Sequence, residues 1–228
     1  MLQISSNLSG IMDADTISKN GASFKSLMSK GNFLGKAFFV LFAAWVLLSG
    51  CNVAGIKGNG NVESRERVVG EFSGISLDGV ASVNVHPDSE YKVLVTTDSN
   101  IQEIVIVEDK NDILHIRQKD NLNVKATKLQ VDVYLPKLKS IKSSGVGSIN
   151  VSAGNASDLT INLSGVGSIN SQDYQVENVT VSLSGVGSAK IWATNTLNGN
   201  LSGVGSISYK GTPTINVNKS GVGSIKPL

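Results

Sequence analysis

From Arg65 onward, apolar residues recur at every second position in short runs. Val83/Val85, Val93/Val95, Leu114/Ile116 and Val131/Val133/Leu135 follow the alternation that a half-buried strand requires, because successive side chains point to opposite faces of a sheet. Turn-forming residues separate the runs at Asp78-Gly79, His86-Pro87-Asp88, Asp98-Ser99-Asn100, Asp109 to Asp112 and Pro136. Strands are therefore predicted over 72–77, 80–85, 91–95, 104–107, 113–116 and 129–135. No window carries a 3.6-residue period. The chain reads as all-β.

Beyond residue 143 the alternation becomes a repeat. Ser-Gly-Val-Gly-Ser begins at Ser144, Ser164, Ser184, Ser202 and Ser220, at intervals of 20, 20, 18 and 18 residues. Such a period marks units that cannot bury an apolar face alone but can do so when stacked. Each unit is read as the pentapeptide, a short strand, a turn and a second strand such as Leu159 to Leu163. Turns are expected at 152–158, 172–178, around Thr194-Asn195 and at Gly211-Thr212-Pro213. The last two absorb the missing pair of residues, so that the strands stay in register. In-register stacking would align Ile149, Ile169, Ala189, Ile207 and Ile225 in one column and Leu163, Leu183 and Leu201 in another. Leu77 to Asn84 resembles a worn copy of Leu163 to Asn170. The repeat thus begins inside the charged head (62–143), which shares a core with the array (144–228).

The paired glycines (Gly145, Gly147, Gly165, Gly167, Gly185, Gly187, Gly203, Gly205, Gly221, Gly223) allow two readings. Unbroken alternation puts them inward, across a thin interior, with Val166 outward. Alternatively the chain bends there, the glycines supply positive φ, and Val166 turns in. The bend is favoured because a unit of this length needs corners.

The N-terminal segment differs in kind. Ala37 to Leu48 is a twelve-residue apolar run behind Lys30 and Lys36. That is too short to span a bilayer comfortably and matches the core of a secretory signal. It ends in Leu48-Ser49-Gly50-Cys51, which resembles the bacterial lipoprotein signal box. The resemblance implies cleavage between Gly50 and Cys51 and acylation of Cys51, the one cysteine of the chain. Residues 1–50 are then a signal peptide, with Met28 as a second candidate start. Asn52 in place of aspartate favours the outer membrane. Residues 51–61, rich in Gly and Asn, read as a flexible tether, followed by a single domain over 62–228.

Charge adds little. The formal net charge is +2, and from Cys51 onward basic and acidic side chains balance. No basic stripe points to nucleic acid. Gly-x-Gly lacks the following helix of a phosphate loop, and the repeats lack the Asp of calcium-binding β-rolls. His86 and His115 are too far apart for a local metal motif, so neither a metal nor another cofactor is expected. The array holds few carboxylates, most of them assigned to turns, and carries no catalytic motif. Tyr174, Trp192 and Tyr209, at comparable places in successive units, are candidates for stacking on sugar rings.

Phe72-Ser73-Gly74-Ile75, the Leu135-Pro136-Lys137-Leu138 link and the recurrent Ser-Gly-x-Gly-Ser-Ile units resemble the bacterial head GIN domain family of auto-transporter adhesins. The resemblance covers nearly all of the chain beyond Arg65. It implies a right-handed, parallel β-helix-like stack of 18–20-residue repeats on a lipid-anchored or secreted protein. The expected role is a non-catalytic binding or scaffold module of the cell envelope, held on a membrane, whose partner is a glycan or another envelope protein. A polysaccharide-processing enzyme and a periplasmic structural or sensory protein are the alternatives.

Overall fold

The computed structural model describes residues 55–119 and 122–228. The expected signal peptide, with the expected cleavage and acylation positions Gly50 and Cys51, lies outside them. Ala54–Leu228 forms one compact unit, and among the described residues there is no helix. Fifteen of the seventeen strands among the described residues belong to a single sheet.

Two parallel ladders organise this sheet. In the first, β4 (Val80–Pro87) pairs with β11 (Val146–Val151), followed by the leading halves of β13 (Val166–Leu183) and β14 (Val186–Leu201). The ladder continues into β15 (Val204–Lys210) and β17 (Val222–Pro227). Register is strict at its start: Val80, Val146, Val166, Val186, Val204 and Val222 lie side by side. In the second, β7 (Ile113–Gln118), β3 (Gly74–Leu77), β10 (Ser140–Ser143) and β12 (Gly154–Leu163) lead to the trailing halves of β13 and β14 and to β16 (Thr214–Lys219). The chain alternates between the ladders, so each repeat contributes one level to both.

Alternation then builds the interior. Val83, Ile149, Ile169, Ala189 and Ile207 form one buried column, and Leu77, Ser143, Leu163, Leu183 and Leu201 another. Burial of each large aliphatic side chain contributes roughly 1.5–3 kcal/mol. One apolar cluster runs from Phe72 in the head to Ile207 in the array. At the far end the second column closes on Lys219, which pairs with Leu201 and is exposed.

The expected turns at 172–178 and Thr194-Asn195 are strand, since β13 and β14 run through both ladders without interruption. The change of interval is absorbed by register shifts instead. Ser171 pairs with Ile191 and Gln175 with Trp192, so three residues of β13 have no counterpart in β14, and a later shift returns one. The chain curves through an irregularity without leaving the sheet. A true break survives at Gly211-Thr212-Pro213, between β15 and β16.

The head covers the first level with antiparallel strands. β5 (Lys92–Asp98) pairs with β9 (Leu129–Leu135) and β2 (Val62–Arg67), and β6 (Val105–Lys110) pairs with β7. The tether expectation fails for residues 55–61. β1 (Ile56–Lys57) pairs with β8 (Val124–Lys125), and the Asn59 side chain donates to Ser99 Oγ at 2.8 Å. Asp98, fully buried, accepts the Gly60 and Thr127 amides at 2.7 Å each. Gln102, also buried, donates to the Glu63 and Val95 carbonyls and accepts from Arg67.

An outward array as the candidate functional site

The pentapeptide resolves into a mixed answer to the two glycine readings. Its valine points to solvent: Val146, Val166, Val186 and Val204 are about half exposed, and Val80 and Val222 more so. The reading in which Val166 turns inward is therefore overturned. The second glycine nonetheless has the positive φ of the bend reading, 152° at Gly167 and between 149° and 155° in the other four copies. L-residues rarely adopt that conformation.

A further constraint explains why both glycines recur. A methyl group on Gly165 would overlap the Gly145 carbonyl oxygen, and one on Gly167 would overlap that of Gly147. The missing side chains would point along the stack, into the level beneath. Copies on neighbouring levels therefore approach closely only if both positions are glycine. Ala81, in the worn copy, obeys the same logic. Below it no strand lies in register, because β9 pairs with β4 only from Ser82 onward.

Outside, the pentapeptide presents three rows. Ser144, Ser164, Ser184, Ser202 and Ser220 are exposed, with Asp78 in their place on the first level. The six valines come next. Then follow Ser82, Ser148, Ser168, Ser188, Ser206 and Ser224, half-buried or exposed. Valine and the second serine are the same on all six levels, whereas the buried columns vary between Ile, Val and Ala or between Leu and Ser. Core packing usually constrains a side chain more tightly than solvent does. Here the solvent-facing positions are the uniform ones.

The array meets a cleft of about 420 Å³ at its head end, where Val80 and Val146 share the lining with Leu122, Val124, Lys125 and Lys128. At Val80 the lower edge of β4 lies outside its pairing with β9, which starts at Ser82. Gln118 covers that edge: its Nε2 donates to the Val80 carbonyl and its Oε1 accepts the Val80 amide, both at 2.9 Å. The side-chain amide substitutes for a neighbouring strand.

The aromatic candidates do not form a platform. Tyr174 is 1% exposed, and its hydroxyl lies 3.4 Å from the Leu138 carbonyl, to which it donates. Burial raises its pKa, opposed by the Leu138 amide, which donates to the same oxygen at 3.3 Å. It fills the interior and offers no face to a sugar. Trp192 is half-buried, with Lys210 Nζ 3.7 Å from its ring centre, and Tyr209 packs partly against the core. In register, Trp192 pairs with Lys210 and Tyr209 with Ile191, so the three rings share no row.

Sequence reasoning did not foresee the association of His86 with Asp132 and Ser152. His86 Nε2 lies 3.5 Å from Asp132 Oδ1, Nδ1 lies 3.2 Å from Ser152 Oγ, and the ring stacks on Tyr134. The arrangement is reversed relative to a hydrolytic triad, where the carboxylate holds Nδ1 and the serine meets Nε2. Asp132 also accepts amides from Asn84 and Gln130, and the Ser152 amide already donates to the Val85 carbonyl. Burial works to raise the Asp132 pKa, but hydrogen bonds from Asn84, Gln130 and His86 outweigh it and leave the group lowered. Among the described residues, no three His, Cys, Asp or Glu side chains are grouped to hold a metal ion.

Three comparisons place the chain among known proteins. A crystal structure of a "putative adhesin" from Bacteroides fragilis is 23% identical, covering 76% of this chain and 100% of that one, with a TM-score of 0.55. A "putative adhesin" from Parabacteroides merdae is 22% identical over 76% and 98% of the two chains, at 0.38. A "putative lipid binding protein" from Parabacteroides distasonis is 22% identical over 76% and 99%, at 0.39. The Bacteroides fragilis likeness bears on the fold alone. No curated protein matches the chain. The family model "Putative auto-transporter adhesin, head GIN domain" matches residues 71–153 and 140–213. That match spans well over half of the sequence, and the chain belongs to this family.

Proposed function

We propose that the protein is a lipid-anchored, non-catalytic binding module of the bacterial cell envelope, its contact face the outward Ser-Val-Ser array. In this reading residues 1–50 are a cleaved signal and Cys51 carries the acyl chains, in the outer membrane. Residues 62–228 form one domain, a right-handed parallel β-helix-like column. Its partner is a glycan or an envelope protein. One observation carries the functional part: an exposed apolar position is kept on every level while the buried columns beside it vary. Packing does not demand that uniformity, and recognition does. Membership of an adhesin family agrees with a role at the cell surface or envelope.

Two measurements test it. Labelled palmitate should enter the protein, and Cys51→Ser should release it from the membrane; a Cys51→Ser chain that stays membrane-bound refutes the anchor. Added in solution to an excess of isolated cell envelopes, the released Cys51→Ser chain should be retained through the array. Val166→Asp with Val186→Asp should lower that retention at least tenfold while the fold, read by circular dichroism, persists. Unchanged retention refutes the contact face.

A further inference from the structure

The array has a symmetry that suggests its occupant. Ser-Gly-Val-Gly-Ser reads the same in both directions, so the outward rows are serine, valine, serine from either side. Turned over about an axis parallel to the column, a second copy would present the same rows with strand direction reversed and level order kept. Val166 would then meet Val166 of the second copy, and Ser164 would meet its Ser168. This is the isologous contact of a two-fold dimer. From the second level onward the three rows carry no charge, so identical faces do not repel. On the first level Asp78 would face Ser82 of the second copy, not another aspartate.

We propose that the contact face pairs with the same face of a second copy of this chain anchored in the same membrane. The proposal rests on the reading of the array as a contact face and names its partner. Turning about an axis along the strands would also set valine on valine, but would reverse the level order and send the two N-termini to opposite ends. Anchorage in one membrane selects the first arrangement. Size fixes the strength. Six levels at about 4.8 Å span about 24 Å, and four residues of strand about 13 Å. The footprint is on the order of 300 Å² per copy, well short of the roughly 800 Å² per partner of a stable complex. The pairing is therefore transient in free solution and populated where anchorage raises the effective concentration.

Engineered thiols in the full-length chain, oxidised in isolated membranes, test this. Val186→Cys and Val166→Cys should each give a disulfide-linked homodimer at least tenfold above the parent chain. Asn216→Cys, on the other ladder, should not. Both valines are half exposed, so these variants fold. The pairing is overturned if the valine variants yield no more dimer than Asn216→Cys, or cross-link solely to a different protein. A cross-link between Val80→Cys and Val222→Cys chains, with none within Val186→Cys, overturns the same-membrane arrangement. Palmitate labelling of the same membranes reports on the anchor separately: a Val186→Cys dimer without palmitate leaves the pairing standing and removes the anchor.

Discussion

The head and the array reach the same kind of core by different means. In the head, strands are largely antiparallel at the outer edge, and individual polar groups fix each junction: Asp98 holds Gly60 and Thr127, Gln102 joins β2 to β5, and Gln118 covers Val80. Every ion pair among the described residues has both partners between Glu63 and Asp132. The array has none there. Its levels are held in register by identical residues lying over one another, with Asn and Thr side chains bonding from level to level, as Asn195 and Thr196 do to Asn178. A repeat thus replaces many specific contacts with one geometry used several times. The cost is that any residue breaking that geometry acts on both neighbouring levels.

Gly167→Ala should break the array most severely. The new methyl meets the Gly147 carbonyl, and φ of 152° is strained for alanine, costing at least about 1–3 kcal/mol for the backbone alone. Denaturant melts should show it, whereas Ala81→Gly in the head should shift the midpoint far less. Acid should act next, and on the head first. Burial works to raise Asp98, but hydrogen bonds from Thr127 and Gly60 more than offset it, so its pKa is lowered. Burial likewise opposes Ser144 and Ser76 at Asp78, which also ends up lowered. Groups with depressed folded pKa values contribute stability that is fully present above about pH 4, the unfolded value, and lost as pH falls through the folded ones. Hydrogen exchange below pH 4 should therefore open strands β2 and β5 before β13 and β14. The opposite order would mean that the array, not the head, carries the acid-sensitive contacts. Smallest in stability is Lys219→Leu. It extends the leucine column to the last level, removes the charge that keeps an open strand edge from pairing with other chains, and should leave the melting midpoint within a few degrees. Light scattering should register new oligomers.

Period two and the twenty-residue interval made the strands and their alignment legible: Ile149 lies on Ile169 and Leu163 on Leu183 because nothing else keeps those faces buried. The worn copy at Leu77 was readable for the same reason and pairs with the first full repeat. Periodicity did not reveal that 172–178 stays in the sheet, since a bulge and a turn use the same polar residues. It also misplaced Tyr174, because a polar neighbourhood in sequence hid a gap in the interior that the ring fills. The favoured bend reading turns the valine the wrong way for a deeper reason. Unbroken alternation and positive φ look like rivals in the sequence, yet the structure satisfies both, with outward valine and positive φ at the glycine that follows it. His86 and Asp132 belong to strands that meet through β4 and β9, a long-range pairing that no local spacing encodes.

The common register of the valines makes the molecule a ruler. Inserting one complete eighteen-residue unit would carry everything beyond it outward by one strand spacing, about 4.8 Å, and leave every other neighbour unchanged. The length of the column beyond the head is thus adjustable in whole steps by duplication alone, without redesign of the base on which the first step rests.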